Sequence, residues 1–354
     1  MILFNLALPV LILHIALGLA AMNIWFERKV SALMQDRLGA NRAGLDITLP
    51  WYLFPLKPLF FILAKTGLLN TLFCDPVKAI LKEDFVSSHS SKILHFLSPF
   101  AATFPIFLAF AFLPVGPAFT LENQPVLLQV FSSDYDLLII LALTTIAVYG
   151  TTLAGWTSAN KFAFLGSLRA SAQMISYELV IGLVILSVIV YFESANFMTI
   201  VEGQKKIWSI LTMPLGFLVF LVAGMAETKR GPFDLAESES ELVAGYFTEY
   251  SGMKFLLFWF GEFAEIALFS FVLSLCFLGG WHLPFFSLPE GFAGSIIGSI
   301  VLLAKVVFLC FFQIVVRWTL PRFRYDQLML VCWKFLLPLA VVNLIVTCLL
   351  KWLF

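Results

Sequence analysis

Between positions 227 and 252 the chain reads ETKRGPFDLAESESELVAGYFTEYSG. This gathers Glu227, Asp234, Glu237, Glu239, Glu241 and Glu249 between two long apolar runs, in a protein only 12% charged. Read as a helix from Asp234, the residues Asp234, Glu237 and Glu241 recur at i, i+3 and i+7 and share one stripe, with Glu239 on the other side. Carboxylates this close and short of water raise one another's pKa, and desolvation raises all of them, so such a stripe holds and releases protons near neutral pH. Moving a pKa by one corresponds to about 1.4 kcal/mol, within reach of ordinary burial. The same residues also read as a solvated loop with helix caps, because Asp234 with Glu237 and Ser238 with Glu241 both have capping-box spacing.

The surroundings decide how scarce water is. The 354 residues are 61% hydrophobic with a mean hydropathy of +0.96, a composition that marks an integral membrane protein. The net charge is zero, which points to no nucleic-acid partner. Cys74, Cys276, Cys310, Cys332 and Cys348 form no CxxC pair, and His14, His89, His95 and His282 lie far apart. The sequence therefore offers no haem, iron-sulfur or zinc motif, and any electrons travel elsewhere.

Apolar runs long enough to cross a bilayer lie near 2–26, 93–114, 136–156, 177–193, 208–226, 254–279, 293–316 and 328–350. The expected fold is all-α: a single polytopic membrane domain over 1–354, with about eight transmembrane helices and an amphipathic or re-entrant segment. No small-residue cleavage site follows the first run, which leads into Glu27-Arg28-Lys29, so it reads as a retained helix. Basic residues crowd one set of loops, while the other side holds only Lys205, Lys206 and Lys351. The positive-inside rule then puts both termini outside and the acidic loop, 227–254, inside.

Within the long inner connection, 45–66 is apolar and broken by Pro50, Pro55 and Pro58, as in a re-entrant or surface-lying piece; a membrane hairpin is the alternative. The following stretch, 67–82, sets Lys78 and Lys82 a turn apart beside Leu68, Leu69, Leu72 and Phe73, the pattern of an interfacial helix. In 160–178, Arg169 and Gln173 share a helical face, and Glu178 falls where the next span begins. There it faces a wet interior, or sits at headgroup level favoured by the helix dipole. Glu262 and Glu265 lie inside the sixth run and Lys305 inside the seventh, which suggests a pairing across adjacent helices. Lys334 is near enough to an end to snorkel. The outer loops, 115–135 and 280–292, carry no evident chemistry, and no inverted repeat is visible.

Several inner segments together resemble one family. Glu27-Arg28-Lys29-Val30 followed by Gln35, Arg37, Gly39, Asn41, Arg42 and Gly44 is similar to the ERKV and Q-x-R-x-G-P-N-R-x-G signature of the complex I membrane subunit that seats the quinone chamber, the H-type family of NADH:quinone oxidoreductase subunits. Asp75 with KAILKED (78–84), the stretch from Tyr149-Gly150 to Trp156, Gly166 to Gln173, Ser176-Tyr177-Glu178, the acidic loop and TLPRFRYDQLM (319–329) match its other inner segments, in order, over almost the whole chain. Ala40 stands where the family usually has Pro, and 45–66 resembles an insertion beside the quinone entrance.

The resemblance implies a membrane-arm subunit of a proton-pumping NADH:quinone oxidoreductase in a bacterial plasma membrane or the mitochondrial inner membrane. Glu27, Arg28, Arg37, Arg42, Arg230, Phe233 and Asp234 would line or gate the quinone cavity. Asp75, Glu178, Glu227, Glu237, Glu239 and Glu241 would form an acidic proton-coupling funnel, with Arg169 as counter-charge. It implies no cofactor or metal on this chain, with quinone as substrate and FMN and iron-sulfur clusters on partner subunits. The partners would be the peripheral quinone-site subunits, small membrane subunits and lipid. Three other readings of the acids are an equivalent subunit of a membrane-bound hydrogenase-type complex without quinone, a stand-alone ion transporter, and a structural anchor.

Overall fold

The computed structural model describes residues 2–39, 67–68, 71, 74–121, 124–236, 239–284, 289 and 291–353. The expectations for 45–66, Ala40, Arg42, Leu69, Leu72, Phe73, Glu237 and the Ser238 cap lie outside the described residues, as does the side chain of Glu239. Among the described residues, seven helices are long and apolar enough to cross a membrane. The described part of the chain is helical apart from one antiparallel hairpin, β1 (Phe119–Leu121) with β2 (Gln124–Val126), in the 115–135 loop.

The first helix, α1 (Ile2–Met34), is 33 residues long and so about 50 Å, well beyond a hydrocarbon core of about 30 Å. Its apolar sequence carries straight into Glu27-Arg28-Lys29, so these charges ride on the rigid end of a helix and not on a loop. It stops at Asp36 and Gly39, whose φ values of 52° and 69° are left-handed. The short α2 (Asp75–Leu81) buries none of its residues and exposes Val77, Ile80 and Leu81, as an interface-lying helix does.

Next come α3 (Lys92–Phe110) and α4 (Asp136–Thr157), which pack tightly. A Cβ on Gly150 would lie 2.2 Å from the backbone nitrogen of Ala102, so only glycine permits this approach. The helix α5 (Lys161–Phe192) is continuous over 32 residues, its N-terminus capped by the Asn160 side chain accepting from Phe162 N. This bears out a helical face shared by Arg169 and Gln173 and corrects one expectation: the helix is already under way from Lys161, so Glu178 lies mid-helix instead of where a span begins. The small residues Gly166, Ser167 and Ala170 are buried, so the polar-looking stretch is a packing seam rather than a solvated one.

After α6 (Phe197–Gly203) the expected run at 208–226 folds as α7 (Ser209–Thr212) and α8 (Pro214–Glu227), broken at Met213 with Pro214 opening the second piece. Among its described residues, the acidic loop contains α9 (Glu239–Leu242) and a 3₁₀ turn at Gly245–Phe247 as its helical pieces. Asp234 lies outside any helix, so the expected stripe of Asp234, Glu237 and Glu241 on one helical face is overturned. Gly231-Pro232 and Gly245 interrupt the chain, and Asp234 and Glu241 each find a partner of their own.

The centre of the bundle is α10 (Gly252–Phe277), 83% of whose apolar window is buried. It touches α1, α3, α8 and the next long helix, α11 (Phe292–Thr319). The last helix, α12 (Tyr325–Leu353), contains a π-helical stretch at Val331–Leu336 and is only 22% buried. Its exposed face, with Trp333, Phe335, Ile345 and Leu349, suits a lipid or a neighbouring protein chain.

Candidate functional site

Side chains from α1, α10 and α11 and from the turn after α8 converge on a set of ion pairs. Glu27 on α1 is ion-paired with Arg317 on α11 at 2.6 Å and lies 3.9 Å from Arg230. Beyond the end of α8 the chain turns at Lys229, whose φ of 53° is left-handed, and this brings Lys229 and Arg230 back against α10. There Arg230 Nη2 donates to Glu262 Oε2 at 2.7 Å, Tyr246 donates its hydroxyl to Glu262 Oε1, and Lys229 Nζ stands 4.0 Å from the same oxygen. The Arg230 guanidinium also lies 4.3 Å over the Phe263 ring. Lys229, Arg230 and Glu262 are 4%, 6% and 4% exposed, so water screens these charges little.

Beside this cluster is a cavity of about 480 Å³, lined by Gly231, Pro232, Asp234, Phe247, Phe255, Trp259, Arg317, Trp318 and Arg322 among others. Its size is that of a small-molecule pocket, with aromatic walls and a few charged groups to fix a polar head. Asp234 accepts from Arg322 at 3.1 Å. Burial pushes its carboxyl above the usual range, against the pull of Arg317, Arg322 and Arg230. Among the described residues, Lys229, Arg230, Arg317 and Arg322 outnumber Glu27, Asp234 and Glu262 by one, so the local field favours a ligand that presents acceptor oxygens.

The expected cavity residues divide. Glu27, Arg230 and Asp234 come together around Arg317. Phe233 is buried between the rings of Tyr177 and Phe323, at 6.1 and 5.6 Å. Arg28 pairs with Asp75 of α2 at 2.6 Å, and Arg37 is exposed with its Nε on Gln35.

The expected funnel acids divide as well. Glu178 is held by the Thr145 hydroxyl; it acts electrostatically on both Glu227 and Glu265, and Glu265 acts on Glu227. Glu227 is 1% exposed, and neither of its carboxylate oxygens has a hydrogen-bond partner among the described residues. Glu241 sits at the rim, paired with Arg169. Asp75 is committed to Arg28.

Another expectation is overturned. Lys305 does not pair with Glu262 or Glu265: its Nζ donates to the carbonyls of Leu278, Gly280 and His282, each at 2.7 Å, and lies 4.3 Å over the Trp208 ring. The carbonyls left over at the C-terminus of α10 are nearer than any acid, and Glu262 is taken by Arg230. The reading from sequence assigned no site role to Arg317, Lys229 or Tyr246, whose spacing carries no signal. It also missed the work of Gln173, which donates to Ala226 O and Phe233 O and thereby fixes both ends of the turn that delivers Arg230.

These features define a polytopic helical membrane protein with a charged cavity at one end of its bundle and buried acids leading away from it. The sequence pattern of the NADH dehydrogenase family matches residues 6–348. The chain is 43% identical to an H-type NADH-quinone oxidoreductase subunit of Geobacter metallireducens, over 97% of this chain and 95% of that one. It is 41% identical to "NADH-quinone oxidoreductase subunit 8" of Rhodothermus marinus, over 95% and 93%, and 36% identical to a second H-type NADH-quinone oxidoreductase subunit, from Rhizobium meliloti, over 96% and 97%. The chain belongs to this family, the H-type subunits of NADH-quinone oxidoreductase.

Proposed function

We propose that this chain forms the membrane side of the quinone-binding cavity of an energy-coupling NADH:quinone oxidoreductase and carries the acids that link quinone chemistry to proton movement. The observation that carries the reading is the 480 Å³ cavity bordered by Asp234, Arg317 and Arg322, with Glu27, Arg230 and Glu262 directly behind Arg317. An isoprenoid tail suits the aromatic wall of Phe247, Phe255 and Trp259, and the polar head suits the arginines. Arg28, Arg37 and Phe233 belong to the rim and supports of that cavity, and Arg42, outside the described residues, is assigned to quinone binding by the family pattern alone. The acids Glu178 and Glu227, followed by Glu241 with Arg169 and by Glu237 and Glu239, form the coupling route, with Asp75 holding the entrance through Arg28.

The energetics allow this. Moving a proton against 100 mV costs about 2.3 kcal/mol, less than the stabilisation equivalent to moving a pKa by two. A change of charge in the cavity acts on buried acids through a poorly screening interior. The chain supplies binding and proton handling only; FMN and iron-sulfur clusters belong to partner subunits.

In this reading α7 and α8 act together as an eighth crossing. Ser209 to Glu227 spans about 28 Å at 1.5 Å per residue. An even number puts both termini on the outer face of a bacterial plasma membrane or the mitochondrial inner membrane, and the basic inner loops support that side. The test is inhibitor-sensitive NADH:quinone reductase activity of the assembly that copurifies with this chain in mild detergent. Activity abolished by a quinone-site inhibitor supports the cavity; an assembly that ignores quinones refutes it.

A further inference from the structure

Above the Arg230–Glu262 pair, on the membrane side, lies a second and much smaller cavity. Thr103, Thr151, Lys229, Tyr246, Glu262 and Glu265 line it, and it has about 10 Å³ of free volume, room for one water molecule. Glu265 is 1% exposed, and its Oε1 has no hydrogen-bond partner among the described residues. Buried polar atoms are seldom left so, and a cavity wall of hydroxyls, an ammonium and carboxylates offers a water the partners it needs. The charged groups that act on Glu265 are Lys229, Glu262, Arg230 and Glu178, and Glu227 in turn feels Glu265. Glu265 thus stands between the ion-paired acid beside the quinone cavity and the two acids farther along.

We propose that this cavity is an ordered-water site and that Glu265 is a proton-holding residue bridging Glu262 to Glu227. The inference rests on the coupling function proposed above and adds to it a residue and a ligand that the acidic loop does not contain. A proton passes from Glu262 to the water and from the water to Glu265 Oε1. It leaves to one of the Glu227 oxygens that have no hydrogen-bond partner among the described residues, so no proton is gained or lost along the step. Arg230 and Tyr246 already occupy both oxygens of Glu262, whereas Glu265, one turn farther along α10, has the uncommitted oxygen.

The test uses the intact complex carrying Glu265→Gln and Glu265→Asp, with three readouts. The Gln variant cannot take up the proton and is expected to lose inhibitor-sensitive quinone reduction and its linked proton release about tenfold or more, and the Asp variant to recover part of both. Peripheral ferricyanide reduction reports assembly. The infrared redox difference spectrum of the parent is expected to contain a D₂O-sensitive carboxyl band that the Gln variant lacks. A high-resolution map of the parent complex is expected to show water density within hydrogen-bond distance of Glu265 and Tyr246. Unchanged proton release and an unchanged carboxyl spectrum in the Gln variant overturn the proposal, and so does a cavity without density, which decides the matter even if the variant fails to assemble. A parent complex that does not reduce quinone removes the coupling function instead, while the density still reports on the water site.

Discussion

Replacing Glu262 by Gln removes the negative charge on which three side chains converge. At 2.7 Å and an effective dielectric of about 20, the Arg230–Glu262 attraction is about 6 kcal/mol before desolvation is counted. Desolvation cancels much of that for the intact pair, but the charge left behind stays buried, and breaking such pairs costs about 3–5 kcal/mol. Lys229 is stranded as well, since it stands 4.0 Å from the same carboxylate, whereas Arg230 keeps Glu27 at 3.9 Å. A loss of about 3 kcal/mol is therefore expected, equivalent to roughly a hundredfold faster thermal inactivation of the detergent-solubilised complex. Arg230→Gln alone is expected to cost a similar amount. The double variant is expected to cost much less than the sum, with a coupling of about 2 kcal/mol or more, because it leaves neither member of the pair buried as a charge beside an uncharged partner. Inactivation rates of the two single variants and the double at one temperature close the cycle. Additive losses would show that the two side chains do not depend on each other, and would refute the view that this pair anchors the inner end of α10.

Lys305→Met removes the donor from three carbonyls and is expected to cost about 3 kcal/mol in stability while leaving protons released per NADH unchanged; a lower proton yield would return Lys305 to the coupling route. His282 is held down to about 4 by burial and by Lys205 and Lys305. The unfolded chain, near 6.5, therefore binds the extra proton first, and stability falls as pH drops from about 6.5 towards 4. His282→Gln should flatten that slope in a thermal-shift series, by an amount reduced by the partial exposure of the ring. Gly150→Ala sets a Cβ 2.2 Å from Ala102 N, so α3 and α4 must separate at a cost of about 1–3 kcal/mol or more, measurable as a lower yield of assembled complex.

Apolar length locates the helices because a membrane imposes it, and α3, α4, α10, α11 and α12 begin and end close to where the runs do. Where charge or small polar residues follow an apolar run, the same rule stops too early. In α1 the helix continues through Glu27 and Arg28 because their partners, Arg317 and Asp75, come from other elements. In α5 the stretch around Gly166 and Ser167 packs instead of turning. The acidic loop shows the opposite error. Spacing can state which residues would share a face of a helix, but not that the helix is absent because Arg322 holds Asp234 and Arg169 holds Glu241. Long-range pairing decides, and it leaves no trace in local periodicity.

The same reasoning explains why the site is where it is. Four helix ends bring Glu27, Arg230, Glu262 and Arg317 from positions far apart in sequence into one buried network. Each of these charges is tolerated only because the others are present. A ligand that adds or removes charge next to Arg317 changes the field at Arg230 and Glu262, whose side chains are too closely packed to move away from it. The response passes instead to groups with spare valence, and the buried carboxylate oxygens of Glu265 and Glu227 without hydrogen-bond partners among the described residues are such groups. In the proposed coupling function, a rigid ion-paired layer beside the cavity, with uncommitted acids behind it, separates the work of holding the ligand from that of moving the proton.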